Sequence, residues 1–305
     1  MVPVLFLVSI LVFSIIHLIP GDPVLIMGGS LLQNRPEVVE QLRHQLGLDQ
    51  PLYVQYLQWI TKALRGDLGV SMWNQEPVTK IILQRLPATI ELALVSMLMA
   101  LAVAIPGGII SGVRPNSLLD RVVTVFVTMG MSMPGFWLGI MLMLLFAVRL
   151  KWLPPVGYVP INQEPVRNLR YLVLPATTLA IVIAAPMMRF LRSSLLEVAR
   201  MDYITTARAK GLSERIVIVR HALKNALIPF ITVVGLELAG LLAGVVVIEW
   251  VFGWPGMGWL IVDTINRRNY SLLQSSVLLV ALVFLFMNLI VDILYAFLDP
   301  RIRYE

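Results

Sequence analysis

The sequence predicts an all-α integral membrane protein with six transmembrane helices, on three observations. Of its 305 residues 58% are hydrophobic and only 14% are charged, whereas soluble domains hold about 45–50% apolar and about 25% charged residues. Mean hydropathy is +0.83. Six mostly apolar stretches, 2–19, 86–113, 122–148, 171–191, 226–251 and 273–298, approach or exceed the ~20 residues with which a helix crosses a bilayer.

The first stretch begins at the first residue, with no basic lead, which points to a trimmed or differently numbered start. Pro20-Gly21-Asp22-Pro23 follows where a signal peptide would place a small-residue cleavage site, so 1–19 reads as the first transmembrane helix. Segment 20–85 reads as an extracytoplasmic helical segment. Its opening turn ends the first helix. Val38, Leu42, Gln45 and Leu46 then recur at helical spacing up to Gly47, and Pro51 starts a second amphipathic stretch, Leu52 to Leu64. These two short helices serve interfacial packing or the docking of an external partner.

Residues 86–298 form the transmembrane domain, which includes a polar loop at 193–225. Residues 299–305 form a tail. Segments 114–121, 189–225 and 299–305 together hold 12 of the 24 Lys and Arg residues, at about twice the density of the opposite segments. Cationic loops stay on the cytoplasmic side, so both termini are predicted to be cytoplasmic in a multi-pass protein of the cytoplasmic (inner) membrane. The net charge of +6 fits this topology, and nothing points to nucleic acid.

Cysteine is absent, which excludes disulfides, thiolate catalysis and Cys-ligated metals. His17, His44 and His221 lie far apart, so no metal site is predicted; His17 reads as an interfacial packing residue. G-x-x-x-x-G-K-[ST] and H-E-x-x-H are both missing. An enzyme reading, including a membrane-bound hydrolase, has no positive support. There is no repeat of fixed period and no low-complexity tract. Pro134, Pro175, Pro186 and Pro229 interrupt the later spans, where freed carbonyls are tolerated if helices pack or line a cavity. Pro134, beside Gly130, Gly135 and Gly139, is the candidate for a functional bend.

The loop from Asp202 to Pro229 is the most informative stretch. It carries Arg208, Lys210, Arg215, Arg220 and Lys224 against Asp202 and Glu214. Leu195, Val198, Ile204 and Ala207 give a partial apolar stripe. Gly211 can end one short helix, and Ser213 can cap the next. The result is a helix-turn-helix off the membrane, with Ala207 and Ala209 keeping one face thin for a close partner. On physics alone this is either a docking element or a solvated basic loop at an anionic lipid surface.

Thr205-Thr206-Ala207 followed by Gly211 resembles the EAA loop of ABC-importer permeases. The broader pattern, E-A-A, three residues, G, nine residues, I-x-L-P, places its last positions at His221, Leu223 and Lys224. Ala207, Gly211 and Leu223 agree strictly. The departures at Thr205, Thr206, His221 and Lys224 are typical of the dipeptide/oligopeptide branch, in which R-H-A-L-x-N-A-x-x-P is usual. HLIPGDPV, QLGLDQPLYVQY, GDLGVSM, LPATIELAL, LLEVARMDYITTARAKGLS, VFGWPGMGWLIVDTINRRNY and NLIVDILYAFLDPRIRY resemble the same branch, in order and nearly end to end.

The resemblance implies a type I ABC-importer permease fold and a subunit that moves peptides by alternating access: dipeptides, oligopeptides, glutathione or nickel chelates. It implies a heterodimer with a homologous second permease, two cytoplasmic ATPase subunits and an extracytoplasmic peptide-binding protein. ATP and Mg would sit on the ATPases, with no cofactor on this chain. Thr205, Thr206, Ala207, Arg208, Ala209, Lys210, Gly211 and Leu223 would form the coupling site, with the helix at Thr205 to Gly211 seated in an ATPase cleft.

A charge at the bilayer centre costs at least about 2.5–3.5 kcal/mol, so Glu91, Glu237, Glu249 and Asp292 each call for a partner or a role. Glu237, near the middle of 226–251, is predicted to line the translocation pathway with Pro134 and Glu249. Glu91 is expected to cap or pair near the outer end of its span, and Asp292 to pair with Arg301 or Arg303. The stretch 251–272 is too rich in Gly, Pro and Trp for one plain helix. Trp254, Pro255 and Gly256 are predicted to cover the outer mouth, with Phe252, Trp254 and Trp259 in an interfacial belt. The rival from another class is an ion-gradient-driven secondary transporter that uses Glu237 and Asp292 as relays.

Overall fold

A chain in hydrocarbon must satisfy its backbone internally, which leaves helices as the only span open to these apolar runs without barrel patterning. The computed structural model describes residues 2–18, 36–45, 48–243 and 245–298, almost entirely helical. The turn at 20–23, Leu46, Gly47 and the tail with Arg301 and Arg303 lie outside the described residues, as does the side chain of His17.

Helix α1 is Val2–Leu18, α2 is Pro36–Gln45 and α3 is Leu52–Leu64, the last with the bounds predicted from sequence. Tyr56 of α3 bonds the Ser9 hydroxyl of α1 at 2.7 Å and meets the Phe6 and Phe13 rings edge-on. Helix α4 runs from Val78 to Val113. Its 36 residues span about 54 Å, more than the ~30 Å hydrocarbon layer. The expected boundary at 85/86 therefore falls inside one continuous helix.

Helix α5 is Leu118–Ser132, capped by the Ser117 hydroxyl, and α6 is Gly135–Arg149. They replace the single predicted span 122–148 and meet at Pro134 with a bend of 104°. Both halves still track one neighbour, the 34-residue α7, Pro165–Val198. Asp120 meets Arg192, Gly130 faces Ala185 and Gly139 faces Thr178, so α5 and α6 meet α7 in reverse order along most of its length. Pro175 and Pro186 lie within α7 and Pro229 within α9 without breaking either helix.

Helix α8 is Asp202–Ala209, and α9 runs from Glu214 to Leu242. The second helix of the predicted helix-turn-helix is thus the start of the next span. Because α9 stops at Leu242, the predicted span 226–251 is cut. Helices α10, Val246–Val251, and α11, Met257–Asn266, then form a separate pair bent by 83°. Helix α12 is Tyr270–Leu298. Among the described residues four helices are long and apolar enough to cross a membrane, and six if each bent pair counts as one span.

The core lies between α4 and α7, which run parallel. A Cβ on Gly108 would lie 2.9 Å from the Leu191 Cβ, and one on Gly112 would lie 2.9 Å from the Leu195 Cβ. Small residues let helix backbones approach where no hydrophobic drive distinguishes lipid from protein. Gly108→Val is expected to destabilise the fold by about 1–3 kcal/mol through overpacking. Gly240→Ala, at a position with open space around it, is the control and should leave the melting temperature in detergent unchanged.

Candidate functional site

The candidate site is built at the end of α7. After Val198 a short turn leads into α8, whose Ile204 (0% exposed) and Ala207 (7%) face the bundle. Thr205, Thr206, Arg208, Ala209, Lys210 and Gly211 are exposed. The thin outward face therefore rests on Ala209 alone, since helical period turns Ala207 inward. Asn225 Nδ2 donates to the Tyr203 hydroxyl at 2.8 Å, tying α8 to α9. Leu223 is half-buried against the main core.

Gly211 closes α8 at φ +76°, with its amide bonded to the Arg208 carbonyl at 2.9 Å. Such a left-handed residue favours glycine, so a side chain at Gly211 would strain the turn as well as fill space. Across this turn Arg208 grips Glu214 with two bonds, Nη2 to Oε1 at 2.7 Å and Nε to Oε2 at 3.2 Å. Arg208 is thereby paired within the loop, and Lys210, Arg215, Arg220 and Lys224 are exposed and make no ion pair among the described residues. Ser213 precedes the next helix but makes no side-chain cap bond.

Behind α8, a buried ion pair joins three helices. Arg192 of α7 donates to Asp120 of α5 through Nε at 2.8 Å and Nη2 at 2.9 Å. The Ser111 hydroxyl of α4 and the Asn116 amide donate to the same carboxylate. Asp120 is 4% exposed. Sequence inspection missed this pair. Asp120 lies 72 residues from Arg192, and the one cue was an acid at the third residue of a helix whose start is Ser117.

Glu249 is fully buried at the bend between α10 and α11. Its Oε2 accepts the Trp259 amide at 2.8 Å and its Oε1 accepts the Thr89 hydroxyl of α4 at 3.1 Å. A Cβ on Gly256 would collide with this carboxylate. The acid neutralises the amide end of α11 and pins the bend to α4, which is a buried anchor and not the pathway-lining position expected. Trp254 is also fully buried; its indole N–H donates to the Ala88 carbonyl at 2.8 Å and its ring meets Tyr158 edge-on at 4.7 Å. Phe252 is buried too. An interfacial belt does not form from these two rings, because the bend folds them inward. Pro255 is half-buried between them.

Glu237 is half-buried and has no hydrogen-bond or ion-pair partner among the described residues. It stands five residues before the end of α9, not at mid-span. Pro134 is exposed at the α5–α6 bend, far in sequence from both acids. Glu91 sits beside Tyr158 and Asn168; burial, then the Glu91 carboxylate, raises the Tyr158 phenol above its ordinary range. Asp292 is exposed on α12. Among the described residues no three His, Cys, Asp or Glu side chains converge as metal ligands.

A parallel helix pair continued into a short, clamped loop helix defines a multi-pass membrane protein with an exposed helical loop at one face. The comparisons agree on its class. Residues 104–304 match the family described as binding-protein-dependent transport system inner membrane component, and residues 1–93 match its N-terminal companion. The glutathione transport system permease protein GsiC of Escherichia coli O6:H1 is 43% identical over all of this chain and 96% of its own length. That of Shigella dysenteriae serotype 1 is 42% identical over the same shares. The inward-facing MetNI methionine ABC transporter superposes with a TM-score of 0.60 at 18% identity, covering 73% of this chain and 99% of that one. The chain belongs to this family and is an inner-membrane permease subunit of the ABC-importer type.

The buried pair supports a stability prediction. Arg192→Met leaves Asp120 charged and buried, which is expected to cost about 3 kcal/mol. Adding Asp120→Asn should recover a good part of that loss, because coupled partners are not additive. Thermal unfolding of the two variants in detergent reads the difference.

Proposed function

We propose that this chain imports short peptides, glutathione among them, as one permease of a heterodimer with a homologous second permease. Two cytoplasmic ATPases bind ATP and Mg and carry out hydrolysis, and an extracytoplasmic binding protein delivers cargo. The observation that carries this reading is α8: a loop helix anchored by Ile204 and Ala207, with Thr205, Thr206, Ala209 and Lys210 turned outward. We place it as the coupling helix in an ATPase cleft. Both termini and the α8 end are then cytoplasmic, with segment 20–85 and the α10–α11 bend at the opposite face.

Identity of 43% to a glutathione permease over the whole chain supports a thiol tripeptide or similar small peptide as cargo. Glu237 and Pro134 remain the pathway candidates, because both keep accessible surface. Trp254, Pro255 and Gly256 give the outer-face bend its rigidity, held by Glu249.

Ala209→Arg tests the coupling role without the strain that any substitution at Gly211 brings. The variant is expected to keep its expression and melting temperature. It should lose ATPase co-purification, and uptake of labelled glutathione into cells co-expressing the importer should fall by more than about tenfold, the equivalent of 1.4 kcal/mol. ATPases retained at the wild-type level with normal uptake would refute the assignment. Retained coupling with uptake of dipeptides but not glutathione would correct the cargo alone.

A further inference from the structure

A cavity lies away from α8, where α6 ends and α7 begins. It measures about 390 Å³ and is lined by Ala147, Lys151, Trp152, Leu153, Pro154, Arg167, Arg170 and Tyr171. Local backbone explains its shape. The last seven residues of α6, Met143–Arg149, wind as a wide π turn, and Lys151 follows in the left-handed region at φ +56°. The chain therefore reverses sharply, with the Trp152 amide bonded back to the Phe146 carbonyl at 2.9 Å. Trp152 then stands against Phe146, their ring centres 5.8 Å apart. On the facing side, Arg167, Arg170 and Tyr171 share one face of the first turns of α7.

The lining holds three cations and no acid. Arg167 pairs with Glu164 at 3.3 Å, on the rim. Lys151 and Arg170 are exposed and make no ion pair among the described residues. The amide end of the 34-residue α7 adds its positive dipole. Below the cavity the helix surface is apolar and open: Leu144, Leu145 and Val148 are each more than 40% exposed. A soluble anion has no use for that surface, whereas acyl chains do, and an exposed Trp152 marks headgroup depth.

We propose that this cavity binds the headgroup phosphate of an anionic phospholipid, with Lys151 and Arg170 on the phosphate, Trp152 and Tyr171 at the glycerol level, and the acyl chains along Leu145 and Val148. In the orientation given above this is the extracytoplasmic leaflet. The site also accounts for three basic residues, Lys151, Arg167 and Arg170, on a face where the topology rule disfavours them. The inference requires membrane residence of the chain and nothing about cargo or ATPase.

The test is quantitation by mass spectrometry of phosphatidylglycerol and cardiolipin retained on the full chain after purification in mild detergent. The variants are Lys151→Gln, Arg170→Gln and their combination, with Lys151→Arg/Arg170→Lys as the folding control. Each lost cation is expected to cut retention about fivefold and the pair about 25-fold. The control should retain lipid, and excess inorganic phosphate should displace none. The single variants keep the test readable if the double variant does not fold. Equal retention in all variants overturns the proposal. So does displacement by inorganic phosphate, or loss of binding-protein capture with lipid retention unchanged.

Discussion

Helices α4 and α7 lie parallel at a separation set by Gly108 and Gly112, which admit Leu191 and Leu195 where any side chain would push them apart. Other elements take their place from this contact. Helices α5 and α6 both pack on α7, their contacts running in reverse order along it, and α9 meets its end, where the Ser194 hydroxyl donates to the Ala226 carbonyl. The Asp120–Arg192 pair closes the same end by joining α4, α5 and α7 through one buried carboxylate. A buried charge pair is weak evidence of added stability but strong evidence of fixed geometry, since either partner alone would be left uncompensated. The loop helix α8 begins four residues past Val198 and inherits that geometry.

The opposite end is organised around a second carboxylate. Glu249 ties the α10–α11 bend to Thr89 of α4, and Trp254 repeats the tie through Ala88 one residue away. Segment 65–77 docks beside it, with the Asn269 amide donating to the Ser71 hydroxyl and the Trp73 indole to the Arg267 carbonyl. Helix α4 thus meets the loop-helix end through Ser111 and the bent-segment end through Thr89. One continuous helix, with Pro87 and Pro106 inside it, therefore links the two ends.

Much of this was legible in the sequence. Long apolar runs identified the membrane class, the 52–64 periodicity identified α3 to the residue, and the Thr205 to Gly211 pattern identified the loop helix and its family. The bends at Pro134 and within 251–272 were legible as well, but burial was not. Pro134, flanked by Gly130, Gly135 and Gly139, breaks its span as those glycines suggested, while Pro175, Pro186 and Pro229, which lack such neighbours, stay inside continuous helices. Composition placed Trp254 at an interface and Glu249 in a pathway, but hydrogen bonds to residues 160 or more positions away drew both inside. The partner of Asp120 was hidden for the same reason. Membership of the importer family also sets aside the gradient-driven carrier.

The central claim is that α8 moves with α7 as one body. The chain has no native cysteine, so spin labels can be placed cleanly at Thr206 and Phe190, and in a second variant at Thr206 and Leu282, all exposed positions. Distances measured by electron double resonance in the assembled importer, with and without ATP, decide the matter. The account predicts that the 206–190 distance stays constant while the 206–282 distance changes. A 206–190 distance that shifts with ATP would show α8 moving independently of α7 and would contradict it.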